Sequence, residues 1–168
     1  MNSILFSNMV RFIMLILLQV FICNQMNFLG NINPYIYILF ILLYPISTNR
    51  FSFIFVSFCL GLIIDIFLDS GGAHAAASVS IAYIRPLFLK FSFGAAYEYQ
   101  AIKFKDSEFL QRIVYFALLI LIHHLILFAF VIFDASKINL MISRALSSGV
   151  FTLFLTLILH SLFSQKEK

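Results

Sequence analysis

The chain has 168 residues, of which 62% are apolar and 11% charged, with 11 Lys and Arg against 7 Asp and Glu for a net charge of +4. A soluble domain is roughly 45–50% apolar and about 25% charged, so this composition, with a mean hydropathy of +1.04, excludes a water-soluble fold. It also argues against nucleic acid as a partner, because the basic residues are scattered and form no stripe.

Six apolar stretches follow one another: Ile4–Cys23, Ile32–Ile46, Phe51–Leu68, Ala73–Phe93, Phe109–Phe133 and Asn139–Phe163. In lipid every backbone N–H and C=O must be satisfied within the protein, and runs of this length exceed a barrel strand, so helices are expected. In the first stretch, Arg11 followed by apolar residues has the order of a secretion signal. However, Ile22-Cys23-Asn24-Gln25 lacks a small-residue cleavage pattern, and the stretch reads as a retained membrane helix. The second stretch is short and bounded by Pro34 and Pro45, with Tyr35, Tyr37 and Tyr44 as candidate interfacial anchors. It is expected to be either a short span or a partly re-entrant segment. Cys23 and Cys59 lie in apolar surroundings without metal or redox spacing and read as inert thiols.

The basic residues orient the chain. Nine of 11 (Arg11, Arg50, Arg85, Lys90, Lys103, Lys105, Arg112, Lys166, Lys168) fall on one side of an alternating six-span path, with only Lys137 and Arg144 opposite. By the positive-inside rule both termini are then cytoplasmic. Arg11 and Arg85 are expected to snorkel to that surface. The fourth connection, Gly94–Gln111, mixes Lys103 and Lys105 with Glu98, Asp106 and Glu108. It reads as a solvated hairpin or a docking surface for a partner.

The informative region is Gly61–Pro86. Asp65 lies inside an apolar helix, where a charge is expensive and functional by default. Asp69 follows four residues later on the same face, Gly71-Gly72 breaks the helix, and His74 sits just past the turn. Small side chains dominate from Gly71 to Ala82, allowing helices three and four to approach closely or a partner helix to dock. Matched depth predicts that Asp65 pairs with Arg144 of the sixth helix, since Arg85 lies too far towards the cytoplasm. His123 and His124 are adjacent, point about 100° apart and cannot share a metal from one face, while His160 is expected at the interface. No cofactor is implied, and no Ser, Cys or paired-carboxylate setting matches a known catalytic arrangement. Both aspartates share one helix, unlike the separated pairs of intramembrane aspartyl proteases and lipoprotein signal peptidases.

Gly61-Leu62-Ile63-Ile64-Asp65, Gly72-Ala73-His74-Ala75 and Ala82-Tyr83 together resemble the signature of the MreD family of rod shape-determining membrane proteins. The Pro-initiated, Tyr-rich second stretch is also similar, and the likeness covers nearly the whole chain. Asp69 and the charged fourth connection depart from the pattern. The resemblance implies an all-α, six-helix protein of the bacterial inner membrane, similar in fold to the substrate-binding subunits of energy-coupling factor (vitamin) transporters. It implies a non-catalytic role in the cell-elongation complex, beside MreC-type, MreB-type and RodA–transpeptidase partners, organising side-wall peptidoglycan synthesis. Gly61, Asp65, Asp69, Gly71, Gly72, His74, Ala75, Tyr83, Arg85 and Arg144 are the candidate structural or partner-interface residues. The alternative reading is a small-molecule-binding transport subunit. It predicts an outward cavity with convergent polar groups, whereas a scaffold would expose the small-residue face of helix four or the fourth connection.

Overall fold

The computed structural model describes residues 2–26, 32–46, 48–94, 97, 104 and 107–165. These form α1 (Asn2–Phe21), α2 (Ile38–Leu43), α3 (Arg50–Leu68), α4 (Ala73–Phe93), α5 (Phe109–Ile132) and α6 (Ile138–Gln165), with single 3-10 turns at Cys23–Gln25 and Ala135–Lys137. Except for α2, the helix ends fall within two residues of the expected apolar stretches. Four segments, Phe6–Gln25, Arg50–Leu68, Phe109–Ile132 and Ala135–Leu162, are long and apolar enough to cross a membrane. α4 has the length, at 21 residues, but its Ala, Ser, His and Arg content lowers its hydropathy.

Successive helices pack as antiparallel neighbours, α3 on α4, α4 on α5 and α5 on α6, while α1 lies against α2 and α3. The second segment does not behave as an ordinary span. Its helix has six residues, a rise of about 9 Å, and every residue from Tyr35 to Leu42 is buried. It threads the middle of the bundle, touching α1, α4 and α5. Tyr35 and Tyr37 are therefore core residues and do not anchor at an interface; Tyr44, beyond the helix end, is half-buried.

The bundle has an apolar outer surface and an apolar core into which a set of polar side chains is built. Gln19, Asp65, His74, Arg85, His123, His124, Thr152 and His160 are all buried, whereas Phe51, Phe55, Ile66, Leu87, Phe91 and Phe154 are exposed. In water an apolar surface of that extent would drive association; against lipid tails it costs nothing. The expected exposure of the small-residue face of α4 is not met. Ala73, Ala75, Ala77, Ser78 and Ala82 are buried within the chain itself, so close packing consumes that face and leaves none of it for a partner helix. Most of the fourth connection lies outside the described residues.

The first half of α1 and the last turns of α6 each have described neighbours that tie them to the rest of the bundle. Thr48, just before α3, faces the N-terminal half of α1 across a shared groove, and His160 near the end of α6 feels the charges of Arg11 and Arg112. Asp134 caps the start of the Ala135–Lys137 turn, accepting from the Ser136 backbone N–H at 3.0 Å and its hydroxyl at 2.7 Å. These bonds, with Lys137 at 3.1 Å, hold the Asp134 carboxyl below its usual value.

Candidate functional site

The first four N–H groups of any helix lack intrahelical acceptors and need a cap. α4 begins after Gly72, which adopts a left-handed φ of 93° and has no side chain to offer. Asp65, one turn before the end of α3, supplies the cap from across the turn. Its Oδ1 accepts the His74 backbone N–H at 2.9 Å and its Oδ2 accepts that of Ala75 at 2.8 Å. Oδ1 also accepts the Ser70 hydroxyl at 2.6 Å and pairs with His74 Nδ1 at 3.0 Å. A carboxylate held against a helix N-terminus is further favoured by the helix dipole. The residue is 5% exposed and its carboxylate is met by these neighbouring donors.

Gly61 makes this clamp possible. It lies one turn before Asp65 on the same face of α3, where the two helices come closest. A Cβ there would sit 2.5 Å from the Ala75 Cα and 2.5 Å from the His74 carbonyl oxygen. The Gly-x-x-x-Asp spacing thus has a physical meaning: the glycine sets the approach and the aspartate, one turn on, closes the bonds that the approach brings within reach.

A second set of polar side chains serves α2. A short helix inside a bundle leaves unpaired groups at both ends, and in lipid the protein must satisfy them. At its N-terminal end the Tyr35 N–H donates to Thr152 Oγ1 at 3.0 Å, and Gln19 donates to the Pro34 carbonyl at 3.0 Å. At its C-terminal end Tyr115 donates to the Leu42 carbonyl at 3.0 Å, and Arg85 donates to the carbonyls of Leu42, at 3.2 Å, and Tyr44. Arg85 also donates from Nε to the Tyr115 hydroxyl at 2.8 Å. Four helices thereby hold the ends of one.

Between these two sets lies an aromatic and histidine cluster. Tyr35 stacks edge-on with His124 and tilts against His74, with centroids 5.4 and 5.3 Å apart. The Tyr37 hydroxyl bonds His123 Nε2 at 2.7 Å. His124 bonds the Ile120 carbonyl at 2.8 Å and Thr152 Oγ1 at 3.1 Å, so a continuous chain runs from the Tyr35 N–H through Thr152 to His124. His74 Nε2 and His123 Nδ1 are buried without a partner. Among the described residues no group of three or more His, Cys, Asp or Glu is placed to hold a metal ion.

Of the sequence-predicted residues, Gly61, Asp65, Gly72, His74 and Ala75 come together in the clamp. Asp69 does not join them. It ends α3 in a left-handed conformation, φ 51°, with its side chain exposed, a role that Asp fills more readily than most residues. Gly71 continues the turn at φ 62°. The expected Asp65–Arg144 pair is not formed, because the Ser70, His74 and Ala75 donors already occupy both carboxylate oxygens. Arg85 does not snorkel; at 3% exposure it turns inward onto the α2 carbonyls. Tyr83 faces outward, with the Arg50 guanidinium 4.7 Å above its ring. His160 is buried against Phe116. Sequence reasoning missed Gln19, Tyr115 and Thr152, single hydrogen-bonding residues in apolar helices. The available signal was that segment two is too short and therefore leaves ends to be capped.

Comparison with family models, curated proteins and solved structures finds no match to this chain.

Proposed function

We propose that this chain is a non-catalytic membrane subunit of the MreD type, which helps maintain rod shape by organising side-wall peptidoglycan synthesis in the bacterial inner membrane. The observation that carries the reading is the Gly61–Asp65–His74–Ala75 clamp. Two of the three motifs on which the likeness rests form one closed structural device, and a saturated carboxylate suits assembly better than proton transfer. The closeness of Arg11 and Arg112 to His160, near the end of α6, supports a cytoplasmic placement of that end of the bundle. MreC-type, MreB-type and RodA–transpeptidase proteins are the partners this reading requires. Since α4 buries its small residues, the exposed α3 stripe of Phe51, Phe55, Leu62 and Ile66 is the better candidate for a helix–helix contact.

Depletion of the chain in its own host tests the proposal. Rounded cells with dispersed or septal wall labelling, while the MreC-type and MreB-type proteins are still expressed, support it; unchanged shape and labelling reject it. One observation favours a second reading, a transport subunit that binds a small molecule. His74 Nε2 and His123 Nδ1 are buried polar atoms with bonding capacity to spare, as recognition groups in an occluded site would be. Uptake of vitamin-sized substrates that fails in a His123→Phe variant, with shape unaffected, would transfer the assignment.

A further inference from the structure

Arg85 is a buried cation whose described neighbours are neutral, including the Phe53 ring, whose centroid lies 5.0 Å from its Cζ. Its Nε and one Nη meet a phenol and two carbonyls, and among the described residues no carboxylate lies within ion-pair distance of it. None of the described residues accepts from its other Nη. An uncompensated charge in a membrane interior is costly, so the free side of this guanidinium is informative. It lines a crevice of about 200 Å³ with Pro45, Thr48, Arg50, Phe53 and Tyr97, and none of the described lining residues is acidic. Arg50 uses one Nη on the Tyr83 carbonyl at 3.2 Å and is otherwise exposed. The crevice also abuts the N-terminus of α3, whose dipole adds positive potential.

A second cavity adjoins it. α1 diverges from α3 and leaves a groove of about 500 Å³ lined by Met9, Phe12, Ile13, Phe40, Val56 and Cys59. Thr48 borders both spaces, and Tyr44 of the groove precedes Pro45 of the crevice. Cationic crevice and apolar groove are thus neighbours that meet at Thr48 and at the stacked Tyr44 and Phe53 rings, 4.7 Å apart, a headgroup space beside a chain space as an amphipathic ligand requires.

We propose that crevice and groove together bind one membrane lipid whose headgroup carries an anionic phosphate, with the phosphate between Arg50 and Arg85 and an acyl chain along α1. Phosphate oxygens match the guanidinium donors in charge and geometry, and the groove removes chain methylenes from competition with bulk lipid. A free phosphate could use the crevice alone; only a lipid uses both spaces.

The full chain in nanodiscs, released into native mass spectrometry, tests this. Phosphatidylglycerol and phosphatidic acid serve as anionic probes and phosphatidylcholine as the zwitterionic control. The expected result is one retained anionic lipid per chain. Retention should fall at least about tenfold in Arg50→Gln, an exposed position outside the core, and in Cys59→Trp, which fills the groove; a tenfold fall corresponds to about 1.4 kcal/mol. Equal retention of anionic and zwitterionic lipid overturns the proposal, as does retention unaffected by either variant. Displacement of the bound lipid by millimolar inorganic phosphate, with no effect of Cys59→Trp, overturns the lipid assignment in favour of a free-phosphate site. Circular dichroism of both variants, matching the parent, separates lost binding from lost fold.

Discussion

Replacing Gly61 by alanine adds one carbon at the closest approach of α3 and α4. That Cβ falls 2.5 Å from both the Ala75 Cα and the His74 carbonyl oxygen, and ordinary contact begins at 3.4 Å. Both obstacles are backbone, so no rotamer change relieves them and the helices must part by about 0.9 Å, the difference of those two distances. The same displacement stretches the Ala75 N–Asp65 bond from 2.8 Å to about 3.7 Å, past the range of a hydrogen bond. Overpacking costs about 1–3 kcal/mol and each lost bond about 0.5–1.5 kcal/mol, giving roughly 2–4 kcal/mol in all. Reversible unfolding in mixed detergent–SDS micelles, followed by circular dichroism, measures it. Since the alanine already loosens the cap, a cycle with Asp65→Asn should be less than additive by about 1 kcal/mol. A Gly61→Ala protein within about 0.5 kcal/mol of the parent, or strict additivity, refutes the coupling of approach and cap.

Asp65→Ala strips acceptors from two backbone donors, a serine and a histidine, and should cost about 2–4 kcal/mol in the same titration. Asp65→Asn keeps one acceptor oxygen and should cost about half as much; an equal cost would point to charge alone. Thr152→Val removes the Oγ1 shared by the Tyr35 N–H and His124 and should destabilise by about 1–3 kcal/mol. Thr156→Val loses only a local bond to the Leu153 carbonyl and should stay within about 0.5 kcal/mol; a reversed order would remove the α2-capping argument. Asp134 has a lowered pKa through Ser136 and Lys137, so its contribution is present above the unfolded value and fades as pH falls through the folded one. Carbon-13 carboxyl titration should place its midpoint below 3.8, and Asp134→Asn should abolish the corresponding loss of order at the start of α6 in acid.

The helix boundaries were legible because lipid removes the choices that soluble chains retain: backbone groups must pair locally, so apolar length translates into helix. Phe109 and Ala73 begin helices where the apolar runs begin. The clamp was half legible. Asp65, His74 and the glycines stood out as costly or permissive residues, but the acceptor role of Asp65 towards backbone N–H groups leaves no sequence partner to find. Depth arithmetic therefore looked for a cation and selected Arg144. The same error placed Arg85 at the surface. Both inferences assumed that a charge in a membrane seeks an opposite charge or water, and neither considered exposed helix ends inside the protein as a polar environment.

That omission explains why one short segment organises so much of the interior. α2 has six residues, too few to satisfy its own termini, and the chain from Tyr35 to Leu42 is buried. Each end recruits polar side chains from spans that would otherwise be apolar: Gln19 of α1 and Thr152 of α6 at one end, Arg85 of α4 and Tyr115 of α5 at the other. Removing Gln19 or Thr152 leaves the Pro34 carbonyl or the Tyr35 N–H unpaired, a penalty of about 1–3 kcal/mol, whereas the Leu42 carbonyl, shared by Arg85 and Tyr115, keeps one donor when either is lost. These residues therefore depend on the broken second span as much as it depends on them. A full-length apolar helix in its place would leave Gln19, Arg85 and Thr152 as isolated polar groups in a hydrocarbon core. Short helix and intramembrane polar residues are two sides of one constraint, and only Arg85 retains donor capacity beyond it.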